Sequence, residues 1–324
     1  MTVGKVRGVC AVLGVLAIVV WSGVGSAADF PNKPIRMIIP YSAGGGTDVL
    51  ARAFQPALER ALGQRILIEN IPAGSTKIGT MELMKAKPDG YTLIFSATEP
   101  WVIAYHSGTF ESKVWEQMVP VGNVTSEASG VVEVRTESPF KTWEDLAKAA
   151  KENPGKISCG GSPGGINELV YNAFTKAAGI KMVYVPFSGG GASKIALLGG
   201  HIDTRTATLP EAITMVRDGT TRVLAVSTEK RHPVLPAIRT FKELGIGEAI
   251  ELTRSIWGPP KLPSDLVNTL TKMIEKATKD PEFIKIAQDQ LLYTVDYRAP
   301  ERMKATQKQF ETDFGPRLVE MYKK

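Results

Sequence analysis

Arg36-Met37-Ile38-Ile39-Pro40-Tyr41-Ser42-Ala43-Gly44-Gly45-Gly46-Thr47-Asp48 decides how this chain is read. An apolar run leads into a three-glycine turn and then into the start of a helical pattern. Such a turn aims bare backbone N–H groups at one spot, and the helix N-terminus behind it adds roughly half a positive charge. Together they form an anion cradle that needs no basic side chain. The same device recurs at 159–167 and at 187–194. Three cradles with almost no catalytic side chains around them predict a protein that holds a small anion rather than transforming it.

Outward from that stretch, apolar runs alternate with helical patterns from end to end, which predicts an α/β fold with parallel strands. A strand is expected at 35–40 and a helix at 47–62, with Leu50, Phe54, Ala57 and Leu58 on its apolar face. Thr47 or Asp48 is expected to cap this helix, Gly63 to end it, and Pro56 to kink it. Further strands are expected at 66–69, 91–96, 131–135, 157–159, 182–187, 203–207, 222–226 and 250–257. Helices are expected at 75–86, 143–152, 166–178, 192–198, 211–217, 264–279 and 301–321. Thr142 with Asp145 has the spacing of a capping box, and Gly179 of a helix stop. The pattern predicts two lobes, each with a parallel-rich sheet, joined by crossings near 120–129 and 250–256. The expected division is 29–124 and 253–324 for one lobe and 125–252 for the other. A cleft between lobes is where small ligands tend to sit, and hinged lobes can close over one.

The first 28 residues read as a secretory signal: Lys5 and Arg7, an apolar run, then Gly25-Ser26-Ala27-Ala28, with cleavage near Ala27/Ala28. The run is short for a membrane span, and Cys10 within it lacks the surroundings of a lipoprotein signal. Without Lys5 and Arg7 the formal charge falls from +6 to +4. That is too weak and dispersed to argue for nucleic acid. Cys159 is then the lone cysteine, so the fold stands without an internal disulfide.

The mature chain resembles the periplasmic receptors of tripartite tricarboxylate transporters, often called Bug receptors. The resemblance is carried in order by Phe30-Pro31-Asn32-Lys33-Pro34-Ile35-Arg36, the turn Pro40–Asp48, Leu62-Gly63-Gln64, Glu69-Asn70 and Pro88-Asp89-Gly90-Tyr91-Thr92-Leu93. Val185-Pro186-Phe187-Ser188-Gly189-Gly190 and Leu197-Leu198-Gly199-Gly200-His201-Ile202-Asp203 follow. It implies a two-lobed, Venus-flytrap binding protein of the periplasmic type II kind. Such a receptor holds a carboxylate through loop amides and waters and delivers it to a membrane permease. It also implies which loops bind: Tyr41–Asp48, Ser96-Ala97-Thr98-Glu99, the 160–164 turn with Gly161, Ser162 and Gly164, and 188–191 with Ser188, Gly189 and Gly190. The chain departs from the family at Ile71-Pro72-Ala73-Gly74-Ser75, at Ala97-Thr98-Glu99 and at Asp203-Thr204-Arg205-Thr206, which leaves the ligand's identity open.

Single residues have rival readings. Gly160-Gly161-Ser162-Pro163-Gly164 fits the nucleophile elbow of a hydrolase, but the residue after the serine should donate an oxyanion-hole N–H. Pro163 has none. Asp48 either caps its helix or faces the ligand. Arg205 sits in an expected strand between threonines, where a charge either grips a carboxylate at the cleft or faces the surface. Arg254 poses the same question, and Glu99 would pair with an arginine or with a cationic ligand group. Tyr41, Trp101 and Phe187 offer an apolar wall or pack in the core. His106, His201 and His232 lack metal-ligand spacing. The resulting expectation is a monomeric receptor for a small organic carboxylate, di-, tri- or aromatic, without catalysis, cofactor or metal, and with permease subunits as partners. The alternatives are an exported serine hydrolase using Ser162 and a sensor receptor feeding a signalling partner.

Overall fold

The computed structural model describes residues 1, 30–74, 76–128 and 130–322. The expected leader, with Cys10, lies outside them except for Met1. Among the described residues no helix is long and apolar enough to cross a membrane.

Among the described residues eleven strands form two sheets: β1 (Ile35–Ile39), β2 (Ile66–Asn70), β3 (Thr92–Ala97), β4 (Val119–Ala128), β5 (Gly130–Arg135), β6 (Ser158–Gly161), β7 (Val183–Pro186), β8 (Thr204–Thr208), β9 (Thr221–Val226), β10 (Glu251–Gly258) and β11 (Thr294–Arg298). The first sheet has the order β11-β4-β10-β3-β1-β2 and the second β7-β6-β8-β5-β9. β1 is buried along its length except for the half-buried Arg36, as a strand covered on both faces must be. The architecture is the expected two-lobed α/β one, with a correction to the sheets, which are mixed. Among the described strands, parallel partners are β1 with β2 and β3, and β6 with β7 and β8. The strands flanking the inter-lobe passages, β4, β5 and β10, pair antiparallel. A strand entering from the other lobe comes from the far end of the sheet and runs against its neighbours.

The chain changes sheet between β4 and β5 and returns between β9 and β10. The expected divisions at 124 and 252 therefore fall inside strands. Most of the crossing expected at 120–129 is β4 itself. Its Pro120, Gly122 and Asn123 disguise it, yet Val121 and Val124 are fully buried. Asn123 is accommodated because its amide donates to Thr125 O and Asp296 O, at 3.1 and 2.7 Å, and its Oδ1 accepts from Ser255.

Helix Gly46–Leu62 buries Leu50, Phe54, Ala57 and Leu58, and Gly63, left-handed at φ 68°, closes it by donating to Glu59 O. Its N-cap is Gly45, with no capping side chain, in place of the expected Thr47 or Asp48. Helix Trp143–Glu152 opens on the expected capping box of Thr142 and Asp145. Helix Glu99–His106 escapes a periodicity reading because 99–104 are all buried. Trp101 from this helix packs edge-on against Trp257 of β10, at 5.4 Å between rings, so it belongs to the core.

Candidate functional site

Each loop expected to bind follows the carboxyl end of a strand: 40–45 after β1, Thr98 after β3, 162–165 after β6 and 187–189 after β7. Open α/β sheets place ligands there, because the next helices begin at that edge with their unpaired N–H groups pointing outward. Helices Gly46–Leu62, Ile166–Ala178, Gly190–Leu198 and Leu209–Arg217 all start at this edge.

The loops of the two lobes meet around a cavity of about 40 Å³, room for a few water molecules. Tyr41, Gly45, Gly46, Thr47 and Ala97 line it from the first sheet's side, with Leu252 and Arg254 of β10. Ser162, Gly165, Ile166, Asn167, Gly190, Thr208 and Glu211 line it from the other. A smaller cavity of about 20 Å³ adjoins, sharing Tyr41 and Ser162 and adding Pro163, Gly164, Phe187 and Ser188. The lobes are shut on each other. A Cβ built at Gly191 would collide with the Ala43 carbonyl oxygen, and one at Gly189 would lie 2.7 Å from Ser42 Oγ. Only glycines allow this approach. Admitting a ligand requires the lobes to part.

The amides of the first turn are not free for a ligand, contrary to expectation. Gly44 N–H donates to Asp48 Oδ2 at 2.8 Å, Gly45 to Ser42 O at 3.3 Å, and Gly46 to Glu211 Oε1 of the other lobe at 3.0 Å. Gly164 likewise donates to Glu168 Oε2 at 2.7 Å. The donors that remain lie one step into the helices. Among the described residues, Thr47, Ile166, Asn167 and Gly190 line the cavity and have backbone amides without a protein acceptor. Ser42 Oγ is buried and unpartnered beside Gly189, while Thr208 and Glu211 form the capping box that opens helix Leu209–Arg217.

Several expected site residues serve the frame instead. Asp48 is buried and faces Arg52 and Asn70. Burial opposes its charge, but those contacts and Gly44 hold its carboxyl below the ordinary range. Glu99 is buried under β10, accepting Thr253 N–H at 3.0 Å and Thr253 Oγ1 at 2.7 Å, and burial pushes its carboxyl up. Thr98 meets the same Thr253 at 2.6 Å. Ser96 bonds Ala97 O and lies 3.4 Å from Tyr41 Oη. Burial pushes the Tyr41 phenol up to about 12. Gly161 accepts Phe187 N–H and packs against Asn167 and Tyr184. Arg205 does not reach the cavity. It is fully buried, bonded to Glu133 at 2.6 Å, and it props the cradle by donating to Gly190 O at 3.0 Å. Among the described residues no histidine lines either cavity, and the Ser162 carbonyl accepts Tyr184 Oη.

Arg254 does line the cavity. Its guanidinium bonds Glu127 and Thr47 Oγ1 and lies 4.8 Å from the centre of the Tyr293 ring. Burial pushes Glu127 up to about 7 in spite of Arg254. Thr208 and Glu211 went unnoticed as site residues, although Thr208-Leu209-Pro210-Glu211 spells a helix start. Glu211 Oε2 accepts Thr208 N–H at 3.2 Å while Oε1 holds Gly46.

Two mixed-sheet lobes with facing glycine loops, meeting at the carboxyl ends of their strands, define a two-lobed solute-binding protein. The chain belongs to the family described as "Tripartite tricarboxylate transporter family receptor", which matches residues 50–315. It is 30% identical over 282 residues to "UPF0065 protein in gbd 5'region" of Cupriavidus necator, covering 85% of this chain and 84% of that one. It is also 30% identical to "Protein BugT" of Bordetella pertussis, over 69% of this chain and 70% of BugT. Among solved structures it resembles periplasmic binding protein BugD, with TM-score 0.81, 26% identity, and 90% and 97% of the two chains covered.

Proposed function

We propose that this protein is a periplasmic receptor that captures a small organic carboxylate between its lobes and delivers it to the permease of a tripartite tricarboxylate-type transporter. The observation that carries the reading is the convergence of helix N-termini from both lobes on one cavity, with Thr47, Ile166, Asn167 and Gly190, whose amides have no protein acceptor, among its lining residues. Each charge-assisted bond to a carboxylate contributes roughly 1.5–3 kcal/mol, and micromolar affinity needs about 8 kcal/mol net. Four such donors supply most of that. Membership of a transporter-receptor family supports the partner and the compartment.

A thermal-shift screen against mono-, di- and tricarboxylates, with sugars as controls, tests the reading. A ligand at a hundredfold excess over Kd adds about 2.7 kcal/mol, which raises Tm by several degrees. A response to sugars and to no carboxylate would overturn it.

A further inference from the structure

Arg254, on the wall of the main cavity, is paired with an acid that lines no part of it. Glu127 of β4 is buried, and it is not among the residues lining the main cavity or the smaller one beside it. Arg254 bonds its Oε1, while among the described residues its Oε2 is buried and accepts no hydrogen bond. The ionised form of Glu127 therefore depends on the charge of Arg254. Arg254 has a second allegiance, because it lines the cavity. Its Nε donates to Thr47 Oγ1 at 3.2 Å and its Nη1 to Glu127, and among the described residues its Nη2 has no protein acceptor. The groups around this pair add no second cation. Glu99 and Glu211 act on Glu127 as like charges, and Glu251 acts in the same way on Glu99. The Tyr293 ring lies 4.8 Å from the guanidinium, and the Tyr41 phenol, pushed up to about 12, is uncharged at neutral pH. Glu99, Glu127 and Glu211 thus gather around one guanidinium. A carboxylate that meets Arg254 from the cavity adds negative charge near Glu127 and draws on the same counter-charge. Both effects favour the protonated acid.

We infer that ligand capture is proton-linked: Glu127 takes up a proton as the ligand's carboxylate engages Arg254, and returns it on release. The proton comes from solvent and forms the Glu127 carboxylic acid, and no other bond is made or broken. Without ligand, burial already outweighs Arg254 and holds Glu127 up at about 7, so the exchange falls in the neutral range. The ligand raises the group further. Above about pH 7 binding then consumes protons, and affinity falls as pH rises. The inference rests on the receptor reading above and adds to it a residue that no binding loop contains.

The test is titration calorimetry with succinate, adipate, citrate and benzoate at pH 8, where each acid is ionised, in phosphate and in Tris. These buffers differ in ionisation heat, so the difference in binding heat counts the protons exchanged. For any acid that binds the wild type, uptake of roughly half to one proton per ligand is expected, and Kd is expected to rise about three- to tenfold between pH 7 and 8.5. Glu127→Gln has no proton to gain and leaves Arg254 without a charged partner. Its uptake is expected near zero, and its Kd flat with pH and no weaker than the wild type's at pH 8.5. A wild type that binds without proton exchange overturns the inference and leaves the receptor reading intact. So does uptake that persists undiminished in E127Q, which would assign the proton to another group. Binding of no acid overturns the receptor reading and the inference with it. Should E127Q fail to fold, proton uptake by the wild type, or its absence, decides.

Discussion

At Glu127, burial and pairing pull in opposite directions. Arg254 favours the ionised carboxylate, but desolvation wins and pushes the group up to about 7 from 4.5. In that interval the folded protein holds a proton that the unfolded chain has lost. Stability therefore falls as pH rises from about 5 through 7. The full interval corresponds to about 3 kcal/mol at most. Glu127→Gln cannot titrate, so its stability is expected to be flatter across pH 5–8 than the wild type's. Its absolute stability is lower, because Arg254 loses its counter-charge in a buried place. The slope of unfolding free energy against pH is the readout, and identical slopes in the two proteins would sink the argument. Other titrating groups contribute to both proteins alike and cancel in the comparison.

Between β5 and β8 the second lobe carries a buried polar network. Arg205 Nε bonds Glu133 Oε2, Glu133 Oε1 accepts Thr221 Oγ1 at 2.6 Å, and Arg205 Nη1 reaches Gly190 O. Removing one partner strands a charge in the interior, so Arg205→Met is expected to cost about 3–5 kcal/mol in urea unfolding. Arg205→Met with Glu133→Leu together should cost less than either alone, since no unmatched charge remains. A loss under about 1 kcal/mol for the single variant would show that the pair is not holding these strands. The same elements mark how far the sequence could be read. Helices 143–152 and 166–178 were legible to the residue, because amphipathic spacing, a capping box and a stop glycine agree there. Helix 99–106 was not, since a helix buried all round has no periodicity to show. β4 was hidden by residues such as Asn123, whose side chain is also met by Asp296 of β11 and Ser255 of β10, 173 and 132 residues away. At the site, glycine turns announce a cradle, but not what occupies it. The acceptor for Gly46 lies 165 residues along the chain, and the local pattern at Thr208–Glu211 announces a helix start, not that contact.

For the molecule as a whole, the facing glycine loops make closure a steric question. Gly190 and Gly191 open a helix of the second lobe directly against 42–45 of the first. A side chain at Gly191 would meet the Ala43 carbonyl, which is backbone and cannot swing aside as a flexible side chain can. Gly191 itself lies in helix Gly190–Leu198, where alanine is favoured over glycine by roughly 0.5–1 kcal/mol. Gly191→Ala therefore leaves each lobe sound and penalises only their approach. Ligand affinity is expected to fall at least tenfold while the far-ultraviolet circular dichroism stays unchanged. Small-angle scattering at saturating ligand should show the wild type contracting and the variant keeping the larger radius of gyration. A variant that binds and contracts like the wild type would mean that the loops do not approach this closely in the liganded state, and that capture is not made by closing these two edges.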